Sequence, residues 1–202
     1  MRPVICLGEQ QIPEVTTTKF FGLYWDQWLT WIPHIAQLKN NCLKSLNLLG
    51  TPSCKEWGAD QQILMRIYRL IIRPKLGYGC IVYSSASEAM LRTLVVVMNE
   101  AMCISSGAFK TLPDTSLEVL TTEPPIAIRR KDLTLRYYFK SKCHFQNPAY
   151  GCVIDQKLEM YFKSRPSATP FFAIRAKEAM EHYKIPNQPV LPFIHCDITP
   201  GR

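Results

Sequence analysis

Apolar positions recur along this chain with two periods. Near the start, residues 4–7 and 12–24 are rich in β-branched and aromatic side chains around the polar turn Gly8-Glu9-Gln10-Gln11, which predicts a β-hairpin. From Pro33 the spacing changes to three and four. Ile35, Leu38, Cys42, Leu46 and Leu49 fall on one helical face, Pro33 suits the first turn, and Gly50 is a natural stop before the connector Thr51-Pro52-Ser53. A second helix is expected over residues 60–72. Pro74 should break it and push Arg73 away from helical angles. Residues 75–83 read both ways, being β-branched and aromatic with Gly77 and Gly79.

Ser87 is a candidate N-cap for a helix over residues 88–105, with Leu91, Leu94, Val95, Met98 and Met102 facing a core and Gly107 ending it. A short helix over about 114–120 and a long one over 126–143, opened by Pro124-Pro125, follow. Pro166, Pro170, Pro186, Pro189, Pro192 and Pro200 break up the tail, leaving room for one more helix over 171–183. The expected fold is mainly α (α+β), with an N-terminal β-hairpin, a bundle of about five to six helices and an irregular Pro-rich C-terminal tail. The corresponding divisions are residues 1–31, 32–145 and 146–202.

The composition, 47% hydrophobic and 20% charged, is that of a globular chain able to bury a core. Its longest uninterrupted apolar run, residues 94–98, is five residues, so no membrane association is expected. Net charge is +8, and the excess is central. Residues 60–142 hold twelve Lys/Arg against seven Asp/Glu, while the flanks are nearly balanced. A basic middle suggests a polyanionic partner.

At about 100° per residue, Arg66, Arg69 and Arg73 form one stripe, with Ile63, Ile67, Leu70 and Ile71 on a separate, apolar face. Arg129, Arg136 and Lys140 form a second stripe, with Arg130 and Lys131 beside it at the start of the same helix. Such rows grip a phosphate backbone without reading bases. Tyr137, Tyr138 and Phe139 point around their helix, so at least two should face the core; Trp25, Trp28, Trp31 and Trp57 are also expected to pack.

Catalytic chemistry is not indicated. Asp26, Asp60, Asp114, Asp132, Asp155 and Asp197 include no adjacent pair to hold two metal ions, and there is no Gly-rich phosphate loop or H-E-x-x-H. Eight cysteines occur without a C-x-x-C pair, and reduced thiols are expected. A ligand set of Cys143, His144, Cys152, His195 and Cys196 lacks closely paired ligands. No catalytic residue, metal ligand or cofactor is expected in this chain.

Four segments, in order, resemble the reverse transcriptase of jockey-type non-LTR retrotransposons. Phe20, Gly22, Leu23, Asp26, Leu29, Trp31, His34 and Ile35 fill the pattern F-L-G-L/V-x-x-D-x-x-L-x-W-x-x-H-I, with Phe21 where Leu is usual. Residues 70–86 are similar to L-I-R-S-K-L-D-Y-G-x-x-V-Y-x-S-A, with Gly77 in place of Asp. Residues 107–111 resemble G-A-F-R-T, and residues 123–130 resemble E-x-P-P-L-x-x-R-R. Pro166, Ser167, Pro170 and Phe171 fit the looser region that follows, and the resemblance covers residues 2–175.

It implies the end of the palm (1–31), a helical thumb-like and connector region (32–145) and a C-terminal extension. The comparison also favours a helix for residues 75–83. The family's Y/F-x-D-D carboxylates, which imply Mg in the parent enzyme, lie upstream of the first motif. This chain alone is therefore expected to be inactive as an RNA-directed DNA polymerase. The implied partners are an RNA–DNA or DNA duplex, held through Arg66, Arg69, Arg73, Arg129, Arg130, Arg136 and Lys140, and the absent palm and fingers domains. Intracellular location with nuclear action is implied for the parent element. Met1 before Arg2-Pro3 and the departures at Phe21 and Gly77 suit a truncated or decayed copy. The competing expectations are a helical protein-interaction domain and an inactive relic of a mobile element.

Overall fold

The computed structural model describes residues 6–8, 10–11, 13–53, 58–144, 146–148, 150–151 and 171–186. Strands β1 (Cys6–Leu7) and β2 (Gln10–Gln11) pair antiparallel, as do β3 (Thr17–Phe20) and β4 (Leu23–Asp26). In the second pair Thr17 faces Asp26 and Phe20 faces Leu23, leaving Phe21 and Gly22 as a two-residue turn. Both turn residues have positive φ (46° and 76°), the backbone that matches the twist of a tight hairpin. Glycine accepts it freely; Phe21 does not.

Helix α1 (Ile32–Gly50) buries the five expected residues together with His34 and Ser45. A 3₁₀ turn at Thr51–Ser53 leads towards α2 (Gln61–Ile71), whose first turn is capped by the Asp60 carboxylate accepting from Gln62 N. Arg73 does not leave helical conformation as expected. It opens a new short helix, α3 (Arg73–Gly77), with Pro74 in the first turn, where a missing N–H costs nothing. After Gly79 (φ 65°) comes α4 (Cys80–Tyr83), so the ambiguous segment 75–83 is largely helical, in two pieces.

Gly79 is required twice over. Its φ suits glycine, and a Cβ there would lie 2.5 Å from a methyl of Leu23. Beside it, Tyr78 Oη donates to Phe21 O at 2.7 Å, fastening the hairpin tip to the α3–α4 junction.

Helix α5 (Glu88–Ser106) is the centre of the main core. It packs on α1, α2 and α6 (Asp114–Thr121) and buries Val97 and Ala101 besides Leu91, Leu94, Met98 and Met102; Val95 is only partly buried. By length and composition α5 would suffice to span a membrane, but here it is a core helix. Ser87 occupies its N-cap without a side-chain bond, and Gly107 ends it in the left-handed region.

Helix α7 (Ile126–Cys143) packs on α4 and on α8 (Phe172–His182), and Leu135, Tyr138, Ala176, Ala179 and Met180 form a second, smaller core between α7 and α8. Tyr138 and Phe139 pack there and Tyr137 is more exposed, in line with the expectation for that triplet.

The mainly α fold with its N-terminal hairpin is therefore as read from the pattern. Two readings of packing are corrected. Trp28 is 79% exposed, because it lies on the loop after β4, whereas Trp31 is buried and Trp25 packs edge-on against it. On α2 the buried side chains are Leu64, Met65 and Tyr68, not the expected Ile63 and Leu70, which are 48% and 75% exposed. The free thiols of Cys42, Cys80 and Cys103 are buried and that of Cys6 is exposed. The strand expected at residues 4–5, the packing of Trp57, the ligands Cys152, His195 and Cys196, and the Pro166 motif lie outside the described residues.

Candidate nucleic-acid interface

The first basic stripe closes on one acid that is distant in sequence. Glu123, between α6 and α7, is 4% exposed. Its carboxylate accepts from Arg69 Nε at 2.5 Å and from Arg73 Nη1 at 3.3 and 3.4 Å. Arg69 Nη2 also reaches Thr121 O and Thr122 Oγ1. A buried carboxylate is tolerable only when paired and hydrogen-bonded, and two guanidinium groups supply that.

Arg129 of α7 lines a small cavity with Tyr68 and Arg73, and its Nε is buried without a hydrogen-bond partner among the described residues. Burial and then the Glu123 charge push the Tyr68 phenol well above its usual range, while Arg73, Arg129 and Arg69 pull the other way. Two arginines from two helices thus hold one carboxylate, with a third guanidinium close by, leaving local positive charge in excess.

The remaining sequence-nominated residues divide. Arg66 and Lys140 are exposed, and neither has a hydrogen bond or ion pair among the described residues. Arg136 is exposed but paired with Asp132 at 3.0 Å, one helical turn away. Arg130 is 8% exposed and lines a pocket with Glu88 and Arg175. Arg69 and Arg73 keep roughly a third of their side chains accessible (38% and 31%) while holding Glu123. The row Arg66-Arg69-Arg73 thus has two cations that anchor the fold and one without an ion pair among the described residues, a division set by Glu123. Sequence reading missed that anchor: the acid lies fifty or more residues from either arginine, and no local spacing signals the pairing.

The described aspartates serve the backbone or nearby side chains. The Asp26 carboxylate accepts from Thr30 N (2.9 Å), Thr30 Oγ1 (2.8 Å) and Trp31 N (2.9 Å). It thereby holds a turn in which Leu29 and Trp31 both have positive φ. Asp60 caps α2, Asp114 accepts from Asn99, and Asp132 binds Arg136. Among the described residues no three His, Cys, Asp or Glu side chains gather to hold a metal ion.

A pocket of about 370 Å³ opens between the hairpin and α1, lined by Tyr24, Lys44, Lys75 and Tyr78. Buried His34 lies in its wall. His34 Nδ1 accepts weakly from Tyr24 N at 3.5 Å, Nε2 is without a partner, and burial lowers the imidazole pKa.

No protein-family model matches the chain, and no solved structure matches it. Over 140 residues (68% of this chain) it is 21% identical to the "Putative 115 kDa protein in type-1 retrotransposable element R1DM" of Drosophila melanogaster. The chain spans 14% of that relative's length. On this similarity the chain is related to a non-LTR retrotransposon protein.

Proposed function

We propose that this chain is the end of the palm and the helical thumb-like part of a jockey-type reverse transcriptase, and that its helices hold the backbone of an RNA–DNA primer–template duplex. The observation that carries this reading is the gathering of Arg69 and Arg73 on Glu123 with Arg129 of α7 beside Arg73, while Arg66 and Lys140 stand exposed on α2 and α7 with no ion pair among the described residues. The motifs shared with the family, in the family's order, support it. So does the similarity to the type-1 element protein. Interactions of this kind neutralise phosphates and release counterions, so they bind without sequence preference and weaken with salt. Polymerisation is not assigned to this segment.

The test is fluorescence anisotropy of an RNA–DNA hybrid titrated with the protein across a salt series. The expected result is weak binding whose affinity falls steeply as salt rises. Affinity independent of salt, or no binding at low salt, defeats the proposal.

A second reading, a protein-interaction surface, is favoured by one observation: Ile63 and Leu70 stand exposed on α2 beside Arg66. A protein partner that binds through these two side chains and is not displaced by nucleic acid would favour it.

A further inference from the structure

A pocket of about 420 Å³ lies between the end of α4, α5, α7 and α8, away from the Glu123 cluster. Two arginines on different helices line it. Arg130 of α7 is more than nine-tenths buried, and its Nη1 has no hydrogen-bond partner. Arg175 of α8 donates from Nη2 to Ile81 O at 2.9 Å, while its Nε is buried and also without a partner. Buried guanidinium nitrogens left unsatisfied are costly, and such groups ordinarily have a partner.

The charge around the pocket limits what that partner is. Its lining holds Arg130, Lys131 and Arg175 with Glu88, Glu178 and His182, an excess of one positive charge when the imidazole is neutral. That excess compensates a single anionic group. The volume admits a group larger than a simple ion, and paired guanidiniums match the tetrahedral oxygens of a phosphate ester better than a lysine would.

We propose that this pocket is an oxyanion site in which Arg130 and Arg175 take one phosphodiester group. The source is either a free small ester or a phosphate of a nucleic-acid backbone. Burial depresses the pKa of both arginines, so their charged forms are held at a cost that a bound anion would offset. Of the residues assigned to duplex binding only Arg130 lines this site, and Arg66 and Lys140 lie outside it, so the two readings can fail separately.

The experiment uses the full chain labelled with ¹⁵N at arginine and follows the Nε–H resonances during titration with dimethyl phosphate at constant chloride. The expected result is saturable movement of the Arg130 and Arg175 resonances, with those of Arg66 and Arg136 unmoved at the same concentrations. Arg130→Lys and Arg175→Lys should each weaken binding about tenfold, as expected when a charged hydrogen bond is removed. Arg66→Glu with Lys140→Glu should leave it unchanged even where hybrid binding is abolished. Repeating the titration with dithymidine monophosphate separates the sources. Movement of the same two resonances assigns a nucleic-acid phosphate; binding of dimethyl phosphate alone assigns a small ester. Static Arg130 and Arg175 resonances in the wild type, or movement shared equally by surface arginines, overturns the site whether or not the variants fold.

Discussion

Arg69 binds Glu123 through its Nε at 2.5 Å, so a cation that the sequence offers to a polyanion is also a strut between α2 and the loop entering α7. The two roles oppose each other. Glu123→Gln removes one negative charge from between Arg69 and Arg73 and leaves a neutral acceptor. We expect a stability loss of about 1–3 kcal/mol in urea denaturation, consistent with weakening charged hydrogen bonds to partly exposed partners. Hybrid affinity at low salt should rise. A variant that is as stable as the parent, with unchanged affinity, would refute the anchoring role.

Arg66 and Lys140 give the cleaner test of backbone binding, because changing them breaks no ion pair among the described residues. Replacing both with Glu should weaken binding to all duplex sequences alike. The slope of log affinity against log salt should fall by about 0.9 for each phosphate that is no longer neutralised. Unaltered melting temperature would separate this from unfolding, and a sequence-selective effect would argue against phosphate binding by these two side chains.

Much of the fold was legible, and the failures have physical causes. The bounds of α7 followed from Pro124-Pro125 and the periodic run to Cys143, which local geometry dictates. The core face of α2 was misread because apolar residues occupy almost every direction that the arginines do not, and only packing against α5 selects Leu64, Met65 and Tyr68. Arg129 and Arg130 are neighbours in sequence with different fates: a turn of about 100° leaves one half-exposed beside Arg73 and buries the other. Arg175 was not singled out, since nothing nearby in sequence reveals that α8 brings it opposite Arg130.

Gly79→Ala places a methyl 2.5 Å from Leu23 and forces a non-glycine residue to φ 65°. The expected destabilisation is about 1–3 kcal/mol, read from the denaturation midpoint. Adding Leu23→Ala removes the clash but not the backbone strain, so the double variant should be destabilised by less than the sum of the singles. Strict additivity would show that the two residues do not meet.

Burial tends to raise the Asp26 pKa, but hydrogen bonds from Thr30 and Trp31 outweigh it and hold the carboxyl below its ordinary value of 3.8. A depressed carboxyl stabilises the fold fully above the unfolded value and loses that contribution as pH falls through the folded one. Asp26→Ala should cost about 1–3 kcal/mol at neutral pH. The gap to the wild type should narrow as pH falls below 3.8, measured by thermal unfolding over an acid series. A gap that is constant down to strongly acidic pH would contradict the role of the ionised carboxylate.

Thiol labelling tests the core. Burial pushes the Cys42 thiol up to about 11 and raises Cys80 and Cys103 as well. Reaction needs an accessible thiolate. Cys6 should label quickly in the native protein, and Cys42, Cys80 and Cys103 only after denaturant is added, as read by mass spectrometry of the peptides. Rapid native labelling of Cys42 would contradict this packing.

The clasp of Tyr78 on the Phe21 carbonyl has a structural consequence. Tyr78 directly follows the short helix that begins with Arg73, and Leu23 is wedged against Gly79 on the other side. A single short helix, Arg73–Gly77, is thus all the chain that separates the anchor of the hairpin tip from a guanidinium on Glu123.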